Sequence, residues 1–263
     1  MSQSVANAVT VEKLPDHVAR VTINRPEARN AVNGDVARGL EAAIDQTDAD
    51  DDIWVVVLTG VGLQAFCAGA DLKAVSEGRG QELRTERGGF GGFVHAAKAK
   101  PWIAAVNGPA LAGGCEIALA CDLVVAAPEA RFGLPEVKRG LIASAGGLYR
   151  LPRAVPPAIA REMILTGDPI SADRALALGL INVLTTDAAG LMPAALALAA
   201  RITVNAPVSV RESLAVARQS FDLNDAELRA ESEKHQARNM ASEDFKEGPR
   251  AFIEKRAPRW AGR

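Results

Sequence analysis

The sequence predicts an α/β fold closed by a helical carboxy-terminal region. Short apolar runs, each ended by Gly, Pro or Asn, alternate with helix-compatible stretches up to about residue 187. Beyond that point strand signals stop and helical patterns follow one another. The chain has 263 residues, long enough to bury most of its apolar surface without disulfides or a structural metal.

Residues 9 to 24 alternate apolar and polar around a Leu14-Pro15-Asp16 turn, with Val9 and Val11 before it and Ala19, Val21 and Ile23 after it, which predicts a hairpin. From Gly34 to Thr47, the residues Val36, Leu40, Ala43 and Ile44 fall at helical spacing. DDIWVVVLTG then reads as a buried strand ended by Gly60, and the same cadence returns at PWIAAVNGP, DLVVAAP and GLINVL. Residues 75 to 93, VSEGRGQELRTERGGFGGF, are Gly-rich and charged without a period, and predict a mobile loop, read as a pocket wall with an inert insertion as the alternative. Residues 188 to 204, 207 to 220, 223 to 240 and 242 to 256 read as helices, with Ser242 as an N-cap and Pro207 and Gly248 as breaks or points of strain. The expected division is a core over 1–187 and a helical region over 188–263 that either serves oligomerisation or packs on its own core.

Composition narrows the function. With 30 basic and 32 acidic side chains the net charge is -2, which removes the bulk electrostatic case for nucleic-acid or membrane-surface binding. Any binding site is therefore local. Cys67, Cys115 and Cys121, with His17, His95 and His235, lack the paired spacings of a zinc site, so no metal is expected. The amino terminus MSQSVANAVTVEKL has neither a basic start nor an apolar core, so no export signal is expected there. The most apolar stretch, ALAGGCEIALACDLVVAAP, contains Glu116 and Asp122, which argues against a membrane span. Free cysteines without an export signal suit a reducing cytoplasm.

The strand IWVVVLT runs into Gly60-Val61-Gly62-Leu63-Gln64-Ala65, which satisfies a dinucleotide-binding pattern. A pyrophosphate site also needs a helix to start there, and FCAGAD follows instead, a second small-residue turn. FCAGADL and ALAGGCEIALACD share one construction, in which small residues permit close backbone approach and a helix-compatible segment follows. Glu116 stands three residues after Gly113, so a carboxylate and an amide face one site from an otherwise apolar helix. A second acid, Glu136, follows Pro135 in FGLPEVKRG. Either acid alone is explained by the preference for acidic residues in a first helical turn. Two carboxylates beside two glycine turns make a kit for proton transfer next to a developing oxyanion.

FCAGADL, ALAGGCEIALACD, FGLPEVKRGLIASAGG and AFIEKRAPRW, in this order, resemble the crotonase superfamily of enoyl-CoA hydratases and isomerases, and the resemblance extends from NRPEARNAVN to the last helix. It implies a spiral of ββα units, a helical carboxy-terminal trimerisation region and a homotrimer or a hexamer made as a dimer of trimers. It also implies an oxyanion hole from the amides of Ala68 and Gly113, and Glu116 and Glu136 as the two catalytic acids of a hydratase. CoA contacts are implied at Ala28, Arg29, the main chain of Ala68, Gly69, Ala70 and Asp71, and Phe252 and Lys255 of the last helix. An acyl-CoA thioester is then the partner, and no separate cofactor is required because the thioester is the electron sink.

Hydration of a 2-enoyl-CoA to a 3-hydroxyacyl-CoA is the leading chemistry, with double-bond isomerisation, which can use one carboxylate, as an alternative. A non-catalytic acyl-CoA binder is a third reading. The segment Ile142-Ala143-Ser144-Ala145-Gly146-Gly147 departs from the commoner Pro-Gly pattern at Ala143 and Ser144, and GGLYRLPRAVPPAIAREMILTG resembles dehydratases of polar 3-hydroxyacyl-CoA esters such as carnitinyl-CoA.

Overall fold

A computed structural model describes residues 7–263. Residues 1–6 of the amino terminus read above for an export signal lie outside them. Strands β1 (Val9–Lys13) and β2 (Val18–Ile23) form the expected hairpin, with Val9 opposite Ile23. Its turn is closed by Asp16 and His17, both at positive φ (59° and 63°), a conformation that Asp and His tolerate better than most residues. After a 3₁₀ turn over Pro26–Ala28, α1 (Gly34–Ala49) starts where Asn33 accepts a hydrogen bond from the Val36 amide. Strand β3 (Val55–Gly60) follows, and no helix starts at Gly60–Ala65; the next helix, α2 (Leu72–Ser76), is capped by Asp71. The dinucleotide pattern thus lacks its helix.

Residues 75–93 are not the irregular loop that their composition predicts. A 3₁₀ turn over Gly80–Leu83 leads to a two-stranded ribbon of β4 (Arg84–Thr85) and β5 (Gly89–Phe90). Leu83 and Phe93 are buried, and a side chain at Gly92 would meet the Ala37 carbonyl of α1 at 2.0 Å. The glycines here permit close packing.

The chain continues through β6 (Trp102–Val106), β7 (Ala110–Leu111), α3 (Gly113–Leu119), β8 (Leu123–Ala126) and β9 (Arg131–Gly133) to a 3₁₀ turn over Pro135–Arg139. Helices α4 (Gly147–Ala154) and α5 (Pro157–Thr166), strand β10 (Ile170–Ser171), helix α6 (Ala172–Ala177) and strand β11 (Val183–Leu184) complete the α/β part. Strands β7, β9 and β10 are two or three residues long, too short for a periodic signal, and form a second small sheet.

The main sheet has the order β1-β2-β3-β6-β8-β11, parallel from β2 onward. Alternate residues point to opposite faces. Val56, Leu58, Trp102, Ala104 and Val106 enter the main core, whereas Val55, Val57, Ile103, Ala105 and Val125 pack under Leu191, Ala195 and Ala199 of α7 (Leu191–Thr203). Burial on both faces explains the unbroken apolar run in β3. Helix α7 belongs to the predicted helical region, yet its inner face completes the core of the sheet.

Helices α8 (Pro207–Ala217), α9 (Asp225–Ala241) and α10 (Glu243–Glu254) follow, the last capped by Ser242 as expected. Pro207 starts α8, where its missing N–H costs nothing. The break expected at Gly248 does not occur, because α10 runs through it; the absent side chain faces the Trp260 ring instead.

Arg218, just beyond α8, ties this region to the core. Its guanidinium donates to both carboxylate oxygens of Asp122 (2.8 and 2.7 Å) and to the carbonyls of Lys98 and Lys100. Asp122 in turn accepts from the Trp102 amide (2.8 Å). Arg218→Met strands this mostly buried carboxylate, and denaturant melts should show a loss of about 3 kcal/mol. A loss under about 0.5 kcal/mol would show that the pair is not structural.

Candidate active site

The two glycine turns meet. Leu111 donates to the Cys67 carbonyl (3.1 Å), and Cys67 bridges Ala110. Gly69, at φ 90°, lies against Ala112 and Gly113 so closely that a Cβ on it would sit 3.1 Å from the Gly113 nitrogen. A side chain at Gly114 would meet the Cys67 carbonyl oxygen at 2.0 Å. Ala112 itself adopts φ 51°, ψ −129°, a strained conformation for a residue with a side chain that the surrounding contacts impose.

Which amides remain free decides what this junction can hold. The Ala68 amide donates to the Arg29 carbonyl (3.1 Å) and the Asp71 amide to the Val32 carbonyl (2.9 Å). The expected role of the Ala68 amide as an oxyanion donor is therefore corrected: that N–H is already used. The Ala70 amide, two residues on, donates to no acceptor among the described residues. Gly113 is the first residue of α3, so its N–H has no intrahelical partner, and it too donates to no acceptor among the described residues. The free pair is Ala70 and Gly113. A turn of small residues announces that amides are exposed, but which of them stays free depends on how Arg29 and Val32 dock against it.

The Ala28-Arg29 turn does dock there. Arg29 and Asn30 adopt positive φ (52° and 56°), and buried Asn30 donates to the Val61 and Ala65 carbonyls. Asp71 pairs with Arg25 at 2.9 Å while accepting from the Lys73 and Ala74 amides. Although burial opposes it, Arg25 and these amides hold the Asp71 carboxyl below its ordinary range. Its side chain is thus structural, leaving only main-chain groups of this turn for a ligand. Phe252 and Lys255 lie exposed at the end of α10, which packs on α8 and α9.

Glu116 is 3% exposed and projects from α3. Its Oε1 accepts from the Gly147 amide at 2.9 Å. Burial pushes its carboxyl up to about 7; the Gly147 amide opposes this, the charge of Glu136 adds to it, and the Ala145 amide and Arg150 oppose it. Glu136, half-buried on the 3₁₀ turn after β9, is also raised by burial, and its Oε2 is buried without a partner. Two raised carboxyls therefore share the site, one held by amides and feeling the charge of the other, and one with an open acceptor.

Phe90 of the 75–93 segment walls the site on the other side, since a Cβ on Gly113 would lie 2.2 Å from its ring. Neither Phe90 nor Gly147 is singled out by the sequence, because each acts through a contact between distant segments. Ser144 is exposed. The thiols of Cys67 and Cys115 are pushed up to about 12 by burial and act as small packing groups. A cavity of about 230 Å³ between α8 and α9, lined by residues that include Ser209, Glu212, His235 and Asn239, shares no residue with this site.

The raised Glu116 carboxyl has a consequence for stability. The unfolded chain releases this proton near the ordinary carboxyl value and the folded chain only near 7. The contribution is thus fully present below the ordinary value and is lost as pH rises through 7. Glu116→Gln removes the cost of the buried charge, so at pH 8 the variant should unfold about 2 kcal/mol less readily than the parent. The gain should vanish toward pH 4.5; a gain that ignores pH would show that burial of this charge is not its source.

The family model for enoyl-CoA hydratase/isomerase matches residues 13–263. The chain belongs to this family. It is 39% identical over 251 residues to a carnitinyl-CoA dehydratase of Salmonella typhi, covering 94% of this chain and 95% of that protein. Among solved structures, it is similar to an enoyl-CoA hydratase of Mycobacterium tuberculosis H37Rv (48% identity, 98% of this chain and 100% of that one, TM-score 0.92). It is also similar to a carnitinyl-CoA hydratase of Mycobacterium avium (48% identity, 98% and 100%, TM-score 0.78). The crotonase-type α/β fold and its helical carboxy-terminal region are thus shown, and family membership makes this a CoA-thioester enzyme of the hydratase/isomerase type. Among the described residues no single helix is long and apolar enough to cross a membrane.

Proposed function

We propose that the chain adds water reversibly across the C2=C3 bond of a 2-enoyl-CoA thioester, giving a 3-hydroxyacyl-CoA. The observation that carries this is the pair Glu116 and Glu136, both raised by burial and with the charge of Glu136 acting on Glu116, on elements next to the free amides of Ala70 and Gly113. The thioester oxygen accepts from these two amides, which draws electron density from the conjugated bond and stabilises the enolate. Glu116, oriented by the Gly147 amide, takes a proton from water as its oxygen attacks C3. Glu136 delivers the proton to C2. The thioester serves as electron sink, so this route calls for no metal or redox group.

The CoA moiety lies along the Ala28-Arg29 turn and the main chain of Ala68–Asp71. Phe252 and Lys255 approach the nucleotide of a neighbouring subunit in a trimer or a dimer of trimers built on residues 188–263. A cytoplasmic setting fits free cysteines.

A second reading is favoured by two observations. Several curated relatives carry the name carnitinyl-CoA dehydratase, and Ser144 adds an exposed hydroxyl to the segment that holds Glu116. The physiological direction is then loss of water from a polar 3-hydroxyacyl-CoA by the same residues run backward.

One screen separates the readings. Purified protein is mixed with 2-enoyl-, 3-enoyl- and 3-hydroxyacyl-CoA esters of graded length and polarity, and the conjugated ultraviolet band and the products are followed. Loss of the band with crotonyl-CoA supports hydration. Conversion of 3-enoyl-CoA without water addition assigns an isomerase, and binding without turnover across the panel overturns catalysis.

A further inference from the structure

Glu116 owes its position to a short turn. Gly146 stands at φ 117°, a conformation open to glycine, and the turn presents the Gly147 amide to Glu116 Oε1. The neighbouring Ala145 amide favours the same charge. On the outer side of the turn lies the Arg150 guanidinium, so close that a Cβ on Gly146 would be 2.1 Å from its Nη1. That guanidinium donates from Nη1 to the Ala145 carbonyl (3.3 Å) and from Nη2 to the Val94 carbonyl (2.6 Å). Val94 follows the Phe90 segment that walls Gly113. Arg150 is half-buried and, among the described residues, has no carboxylate within ion-pair distance. The charged groups acting on Glu116 are Glu136 and Arg150, and those facing the other side of Arg150 include His95 and Lys98.

Resting on the hydratase reading above, we infer that Arg150 is a positioning residue: its guanidinium buttresses the Ala145–Gly147 amide clamp on Glu116 and braces it against the wall that carries Phe90. A half-buried cation whose hydrogen bonds go only to neutral carbonyls has a reason to stand there if its field is used nearby, and Glu116 is one of the groups that feel it. Two effects of its removal follow. Loss of the brace loosens the clamp, and a misplacement of about 1 Å at a reacting group costs on the order of 100-fold. Loss of the charge makes Glu116 harder to ionise. Lys in its place keeps the charge but cannot span two carbonyls as a planar fork does.

The test uses Arg150→Met and Arg150→Lys in the full chain, with crotonyl-CoA as substrate. Arg150→Met is expected to lower kcat about 10 to 100-fold with KM changed less than about 3-fold, and to move the acid limb of the kcat profile to higher pH. Arg150→Lys should keep the limb where it was while kcat stays about 5-fold or more below the parent. A ¹³C titration of the Glu116 carboxyl should show the same upward shift in Arg150→Met without reference to turnover. On a Glu116→Gln background, Arg150→Met should leave the residual rate unchanged, since the group it positions is gone.

A folded Arg150→Met protein with parental kcat, limb and Glu116 titration overturns the inference, as does an equal loss on the Glu116→Gln background. If the Met variant does not fold, parental kcat in Arg150→Lys overturns it. Full activity of Glu116→Gln itself would instead sink the hydratase reading, so the two failures are distinct.

Discussion

Glu136→Gln is expected to lower hydration of crotonyl-CoA about 100 to 10,000-fold. Gln has the same shape and can fill the same half-buried place on the 3₁₀ turn, but it has no proton to deliver to C2. The parent carboxyl is suited to that delivery because burial raises it and its Oε2 has no protein partner, so the proton is directed at the substrate. Glu116→Gln should cost a similar factor through loss of the base. The double variant should be little slower than either single one, because both act on one water and one transition state. In the parent, kcat should fall on the acid side as the Glu116 carboxyl, raised to about 7, takes up its proton. The charge of Glu136 adds to the upward displacement of that limb. Stopped assays in heavy water check the assignment: the parent should exchange a C2 hydrogen of the 3-hydroxyacyl-CoA for deuterium, and Glu136→Gln should slow that exchange by the same factor as hydration. Activity within 3-fold of the parent would remove Glu136 from the mechanism.

The second large effect is expected at Gly69→Ala. Gly69 joins the two free amides: its positive φ turns the Ala70 N–H, and its bare Cα lets the Gly113 turn approach. A methyl group there would lie 2.9 Å from the Ala112 side chain and 3.1 Å from both the Gly113 nitrogen and the Leu111 carbonyl. Backbone has little room to yield, because Gly114 is already pressed on the Cys67 carbonyl. The substitution therefore separates the donors, and loss of one oxyanion donor costs about 100 to 1000-fold in kcat. The strained φ adds about 1 to 3 kcal/mol of instability. Since neither glutamate is touched, the pH limbs of the residual activity should not move. A shift of the acid limb in Gly69→Ala, or a rate within 5-fold of the parent, would contradict the oxyanion assignment.

Local pattern was enough for the elements whose stability is decided along the chain. The hairpin around Asp16, the spacing of α1, the apolar strands and the Ser242-capped last helix all follow from periodicity, caps and turn residues. The family motifs also marked Glu116 and Glu136, because a carboxylate on an apolar helix and one after a Pro-containing turn stand out against their surroundings. Composition misled at 75–93 and at Gly248, where glycine serves close packing against α1 and Trp260 instead of loosening the chain.

Tertiary structure alone decided which donors are free and what holds Glu116. Ala68 and Ala70 are equivalent in the sequence, and only the docking of Arg29 and Val32 occupies the first and leaves the second open. Likewise Gly147 meets Glu116 across 31 residues, Phe90 meets Gly113 across 23 and Arg150 meets Val94 across 56. A backbone pattern repeats over a few residues, so the sequence displays it; whether an N–H is satisfied depends on which distant carbonyl reaches it, and only folding settles that.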